Sequence, residues 1–109
     1  MTLRFGLSET TIKKISDVFA KHPEVTKVIL YGSRAKGNYK NGSDIDLTLK
    51  GNGLTLSQVY AIENEIDDLL LPYSFDISIF NQISNPDLVE HINRAGLVFY
   101  ARNNSEQIS

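Results

Sequence analysis

Three aspartates and a glycine-serine pair carry the chemistry this sequence could perform. Asp44 and Asp46 stand one residue apart in the alternating run Asp44-Ile45-Asp46-Leu47-Thr48-Leu49, and Asp76 sits in Phe75-Asp76-Ile77-Ser78-Ile79-Phe80. Alternate side chains of a strand share a face, so a strand here projects Asp44 and Asp46 together and turns Ile45, Leu47 and Leu49 into the core. Asp76 stands in the same relation to Phe75, Ile77 and Ile79. If the strands are neighbours, three carboxylates meet on one exposed face. Such a set can hold two magnesium ions, which prefer oxygen ligands. A metal pair roughly 3.5–4 Å apart stabilises the attacking and leaving oxygens of an in-line phosphoryl displacement. Without a cation the gathered like charges repel. The plainer alternative is that Asp44 and Asp46 line the solvated face of an edge strand. Asp is a poor strand former, and its use twice here and again at 76 favours a functional role.

Gly32-Ser33 directly follows the apolar run Val25-Thr26-Lys27-Val28-Ile29-Leu30-Tyr31. A turn after a strand can aim backbone N–H groups and a hydroxyl at an anion, with glycine allowing close approach. A plain turn is the alternative, and no Gly-Lys-Thr/Ser follows to make it a Walker loop. Arg34, Lys36 and Lys40 form a local basic cluster suited to a small polyphosphate. Arg34 could equally brace the loop by pairing with an aspartate. His22 and His91 lack metal-ligand spacing to each other and read as surface residues. Tyr31, Tyr39, Tyr60, Tyr73 and Tyr100 read as packing residues, although Tyr39, in the motif loop, is also placed to touch a base.

The elements that must position these residues follow from periodicity and punctuation. Ser8 reads as an N-cap, with Leu7 and Ile12 as a hydrophobic staple, ahead of a helical stripe Ile12, Ile15, Val18, Phe19 that ends near His22-Pro23. A strand over 25–31 runs into Gly32, and Gly37 and Asn41-Gly42 break the segment before Asp44 into a loop or a single helical turn. The second strand ends at Gly51-Asn52-Gly53. A helix then starts near Thr55 or Ser57, with Leu56, Val59, Ile62, Ile66 and Leu69 on one face and Leu70-Leu71-Pro72 closing it. After the Asp76 strand, Asn85-Pro86 starts a helix with Leu88, Val89 and Ile92 inward, and Gly96 stops it. Leu97-Val98-Phe99-Tyr100 reads as a last strand, and residues 102–109 as a polar tail. The order predicts an α/β domain with a mixed sheet, helices mainly on one face, and function on the polar other face.

At 109 residues the chain is expected to form one domain, 1–109, with its core over about 8–100. A composition 41% hydrophobic and 22% charged is that of an ordinary soluble globular protein. The lack of cysteine excludes disulfides and thiolate metal sites and fits a cytoplasmic protein. No apolar stretch reaches membrane-spanning length, and the start of the chain lacks the pattern of a signal peptide. A net charge of −2 argues against direct nucleic-acid binding.

Together, Gly32-Ser33-Arg34-Ala35-Lys36-Gly37, the ten residues separating Ser33 from Asp44, Asp44-Ile45-Asp46 and the later Asp76 resemble the DNA polymerase β-like nucleotidyltransferase superfamily. More narrowly, the chain is similar to the minimal nucleotidyltransferases of bacteria and archaea, over residues 8 to 100. The resemblance implies the nucleotidyltransferase fold, ATP as substrate and magnesium as cofactor. It places triphosphate binding on Gly32 and Ser33 and metal binding on Asp44 and Asp46. Asp76 would complete the metal site and assist removal of the acceptor's proton. It also implies a partner, a HEPN-domain ribonuclease toxin, which some minimal nucleotidyltransferases silence as antitoxins by transferring AMP to a tyrosine. The short stretch after Tyr100 leaves no second domain to wall the site, so a partner chain is expected to supply it. Two alternatives stand beside this expectation: a non-catalytic nucleotide-binding subunit that silences its partner by occlusion, and nucleotidyl transfer to a small molecule.

Overall fold

A computed structural model of the chain describes residues 3–40 and 42–102. Its elements are β1 (Leu3–Arg4), β2 (Leu7–Ser8), α1 (Glu9–Ala20), β3 (Val25–Tyr31), α2 (Ser33–Lys36), β4 (Ile45–Gly51), α3 (Leu56–Asp67), β5 (Phe75–Ile79), a 3-10 turn Phe80–Gln82, α4 (Pro86–Ala95) and β6 (Leu97–Ala101). Four strands form a mixed sheet in the order β5-β4-β3-β6. β3 runs antiparallel to both β4 and β6, and β4 pairs parallel with β5. Among the described residues no helix is long and apolar enough to cross a membrane.

The helix starts follow local capping chemistry. Ser8 Oγ accepts the Thr11 N–H at 3.1 Å, and Leu7 and Ile12 are both buried beneath it. Of the two candidates for the start of α3, Thr55 is the cap. Its Oγ1 accepts the Gln58 N–H while Gln58 Oε1 accepts the Thr55 N–H, a reciprocal box that removes two orphan donors. Asn85 Oδ1 accepts from Asp87 and Leu88, with Pro86 opening α4. Gly96 ends α4 in an extended conformation, with φ −69°. It is needed there for space, because a Cβ would crowd Ile29 Cγ2 and Ile92 O.

The main core lies between the sheet and the pair α1 and α3. Ile15, Phe19, Val28, Leu30, Ile45, Leu47, Leu49 and Ile62 are fully buried there. Val25 and Val28 both reach it although they stand three apart. The register slips between Val25 and Lys27, leaving Thr26 as the extra residue of a bulge. The opposite face is less polar than the sequence suggested. Ile29, Tyr31 and Ile92 form a second buried cluster, with Phe80, Ile83 and Leu88 packed on it, so α4 covers part of that face.

Two further differences lie at the ends of the described chain. The short hairpin β1–β2 was not expected. Its two-residue turn, Phe5-Gly6, has φ of 59° and 77°, the positive values a tight hairpin needs. Arg102, expected to open a polar tail, instead closes the structure. Its N–H donates to Thr26 O, and its guanidinium to the carbonyls of Ala20, His22 and Val25 at the end of α1 and the start of β3. The rest of the expected tail, 103–109, lies outside the described residues.

Candidate active site

Register brings the chemistry together. The parallel pairing of β4 and β5 sets Asp46 opposite Asp76 and Thr48 opposite Ser78. The antiparallel pairing of β3 and β4 sets Tyr31 opposite Asp46. Tyr31, Asp46 and Asp76 therefore form one row across three strands, with Ile29, Thr48 and Ser78 in the row behind. Ser78 Oγ donates to Thr48 Oγ1 at 3.0 Å, which satisfies a threonine that is fully buried. Tyr31, expected to pack, does so in this row, while the sequence pattern did not single out Thr48 and Ser78. The available signal was parity, since Thr48 and Ser78 each stand two residues beyond an aspartate of the site.

Asp44 is exposed and sits just before β4, not within it as expected. Strand alternation alone therefore does not fix its direction, but its charge still reaches Asp46. Burial raises the Asp46 pKa first, followed by the neighbouring charges of Asp76 and Asp44. Burial also raises the Tyr31 phenol, opposed by a hydrogen bond with Ser78 and reinforced by Asp76 and Asp46, so Tyr31 stays neutral beside the carboxylates. Asp76 is exposed, on the edge strand.

Gly32 leaves β3 with φ 80° and ψ −153°, a conformation that side chains other than hydrogen essentially do not adopt. A Cβ on it would collide with Asp46 Oδ2. The missing side chain thus lets the motif turn lie directly against the carboxylate. The single helical turn α2 follows, closed by the Gly37 N–H on Ser33 O at 3.0 Å. Ser33 is half-buried at its start, and Lys36 and Lys40 are exposed.

Arg34 departs from both readings of it. It is only 3% exposed and faces neither solvent nor an aspartate. Nε and Nη2 donate to Ser43 O, and Nη1 donates to Phe5 O. It braces the loop through carbonyls, and with its donors so engaged it does not stand free for phosphate. Tyr39 and Tyr73 stack on it, each ring centroid 5.2 Å from the guanidinium, so Tyr39 packs in the motif loop. Tyr60, expected to pack, is 59% exposed. His22, expected at the surface, is largely buried against Glu65, with Nε2 and Oε2 3.0 Å apart.

The donors Asp44, Asp46 and Asp76 suit a hard cation in type, being all oxygen, and the repulsion felt at Asp46 is of the kind a cation relieves. Among the described residues no three His, Cys, Asp or Glu side chains converge tightly enough to enclose an ion by themselves. A cavity of about 420 Å³ lies between α3 and β5, lined by Glu63, Asn64, Asp67, Tyr73, Phe75 and Ile77 among others. Phe75 and Ile77 alternate with Asp76, so this cavity opens on the other face of β5 from the carboxylates.

The chain is an α/β protein with a mixed sheet that carries a glycine-serine turn beside strand aspartates, and solved structures share its architecture. A chain of a toxin–antitoxin complex with AMP-PNP superposes with a TM-score of 0.68 at 17% identity, covering 94% of this chain and 80% of that one. A chain of the toxin–antitoxin MntA–HepT gives 0.65 at 14% identity, covering 93% and 79%. A chain from a tri-AMPylated Shewanella oneidensis HEPN toxin in complex with its MNT antitoxin gives 0.64 at 14%, covering 92% and 77%. At such identities the likeness is one of fold. Among curated proteins none matches the sequence. The profile of the polymerase beta nucleotidyltransferase family matches residues 13–105, and the chain belongs to that family.

Proposed function

We propose that this nucleotidyltransferase uses Mg-ATP to transfer AMP to a hydroxyl on a HEPN-type toxin and acts as that toxin's antitoxin. The observation that carries the chemistry is the in-register pairing of Asp46 with Asp76, beside a Gly32 that only glycine allows to touch Asp46. The choice of nucleotide and partner is supported by the shared fold. Chains of that fold come from complexes described with AMP-PNP and with an AMPylated HEPN toxin.

Gly32 and Ser33 would hold the triphosphate, with Ser33 Oγ donating to a phosphate oxygen and Lys36 balancing charge from the exposed end of α2. Asp44, Asp46 and Asp76 would hold the magnesium ions, which when bound neutralise the charge developing on the phosphoryl oxygens. Asp76, exposed on the edge strand, would take the acceptor's hydroxyl proton. The acceptor oxygen bonds to the α-phosphorus, the bond to the β-phosphate oxygen breaks, and pyrophosphate leaves. The neutral Tyr31 phenol closes the inner end of the row beside Asp46.

The test is to co-express the chain with a helical HEPN-type partner encoded beside it, supply ATP and magnesium, and weigh the partner intact. One or more AMP additions, lost with Asp44→Asn, are expected. Silencing of the partner without added mass, unchanged by Asp44→Asn, would overturn transfer in favour of occlusion. AMP found on a small molecule instead would overturn the proposed acceptor.

A further inference from the structure

Arg34 has no direct part in the chemistry proposed above, yet it touches every segment that leads into the site. A guanidinium buried without a carboxylate is costly unless its donors and faces are occupied. Here Nη1 donates to Phe5 O at 2.8 Å, while Nε and Nη2 donate to Ser43 O at 3.2 and 3.0 Å. Its charge lies near two rings, Tyr39 and Tyr73. The hairpin turn closes tightly over it, since a Cβ on Gly6 would come within 2.8 Å of Nη1 and closer still to Tyr39.

The sequence positions of these partners matter. Ser43 immediately precedes Asp44, Tyr73 lies three residues before Asp76, and Arg34 itself is two residues after Gly32. One rigid planar fork therefore joins the phosphate turn, the backbone at Asp44 and the approach to Asp76. Asp44 lies outside β4, so the strand ladder does not hold it as it holds Asp46. We infer that Arg34 is a positioning residue that fixes the Ser43–Asp44 backbone and so keeps Asp44 beside Asp46. A lysine has the charge but not the fork, so it cannot reach both carbonyls in the same way.

The placement is independent of what is transferred. Its effect on rate rests on the transfer proposed above, so the test reads both. Amide exchange is measured at Ser43 and Ile45, whose N–H groups bond to Lys40 O and Ser74 O at 2.9 Å, in wild type, Arg34→Lys, Arg34→Gln and Tyr73→Leu. Exchange at these two amides should quicken by about tenfold or more in the arginine variants, while amides of β3 remain protected. In the transfer assay kcat should fall about 10–100-fold with nucleotide KM little changed, the pattern of a group that acts by orienting a ligand. Exchange left unchanged while affinity for a non-hydrolysable ATP analogue falls would make Arg34 a phosphate ligand and overturn the inference. Exchange that quickens evenly along the chain would make it a packing residue and also overturn it. If Arg34→Gln does not fold, Arg34→Lys and Tyr73→Leu decide between the same outcomes. If the wild type transfers nothing, the proposed function fails while the exchange result still decides the role of Arg34.

Discussion

Gly32→Ala separates the two physical reasons for a glycine at the head of the motif. The backbone at Gly32, φ 80° and ψ −153°, is in the region that essentially only glycine occupies, so any side chain there costs about 1–3 kcal/mol. The added Cβ also collides with Asp46 Oδ2. Swinging that carboxylate off its rotamer costs about 0.5–1.5 kcal/mol more. The full loss in metal-free protein should therefore be about 1.5–4.5 kcal/mol. In an Asp46→Ala background the collision disappears and only the backbone strain remains. Urea unfolding at neutral pH with a chelator present, on wild type, both single variants and the double variant, measures the coupling directly. The expected coupling is about 0.5–1.5 kcal/mol, with Gly32→Ala less harmful once Asp46 is gone. Equal cost in both backgrounds would mean that the turn does not lie against the carboxylate. A negligible cost in both would remove the case for the unusual backbone as well.

Asp46→Asn should stabilise the metal-free chain at neutral pH. The raised pKa means that the folded chain holds this proton more tightly than the unfolded one. The stability contributed by the neutral carboxyl is fully present below the ordinary carboxylate pKa and lost as pH rises through the raised value. The advantage of the variant should thus vanish in acid, and an advantage independent of pH in thermal unfolding would refute the raised pKa of the buried carboxyl. Ser33→Ala should weaken binding of a non-hydrolysable ATP analogue by about 1.5–3 kcal/mol, the worth of a hydrogen bond to a charged group. Asp76→Asn should chiefly slow transfer. Calorimetry in which Asp76→Asn loses the nucleotide while Ser33→Ala keeps it in full would reverse these roles.

Much of the scaffold was legible because local chemistry writes it. The caps at Ser8, Thr55 and Asn85 act within three residues, and strict alternation at Ile45, Leu47 and Leu49 marks a strand whatever it pairs with. The glycine-serine turn and the aspartates were visible for the same reason, as polar residues placed where a strand would not choose them. Strand partnership is not a local property, so the row of Tyr31, Asp46 and Asp76 came only with the sheet order and register. Local pattern also placed Asp44 inside a strand, because alternation cannot say where hydrogen bonding begins. The face expected to be polar is partly covered because Ile92 of α4 meets Ile29 of β3, a contact between residues far apart in the chain. Arg34 was ambiguous in sequence because a cation advertises charge and not destination. Its partners, Phe5 O and Ser43 O, are backbone atoms 29 and 9 residues away that any residue type would supply. Residue type and local pattern name the side chains available for chemistry and the segments that carry them. Which carboxylates are neighbours, and what holds the loop between them, depends on chain segments brought together from a distance by burial of the core, and no local pattern encodes that.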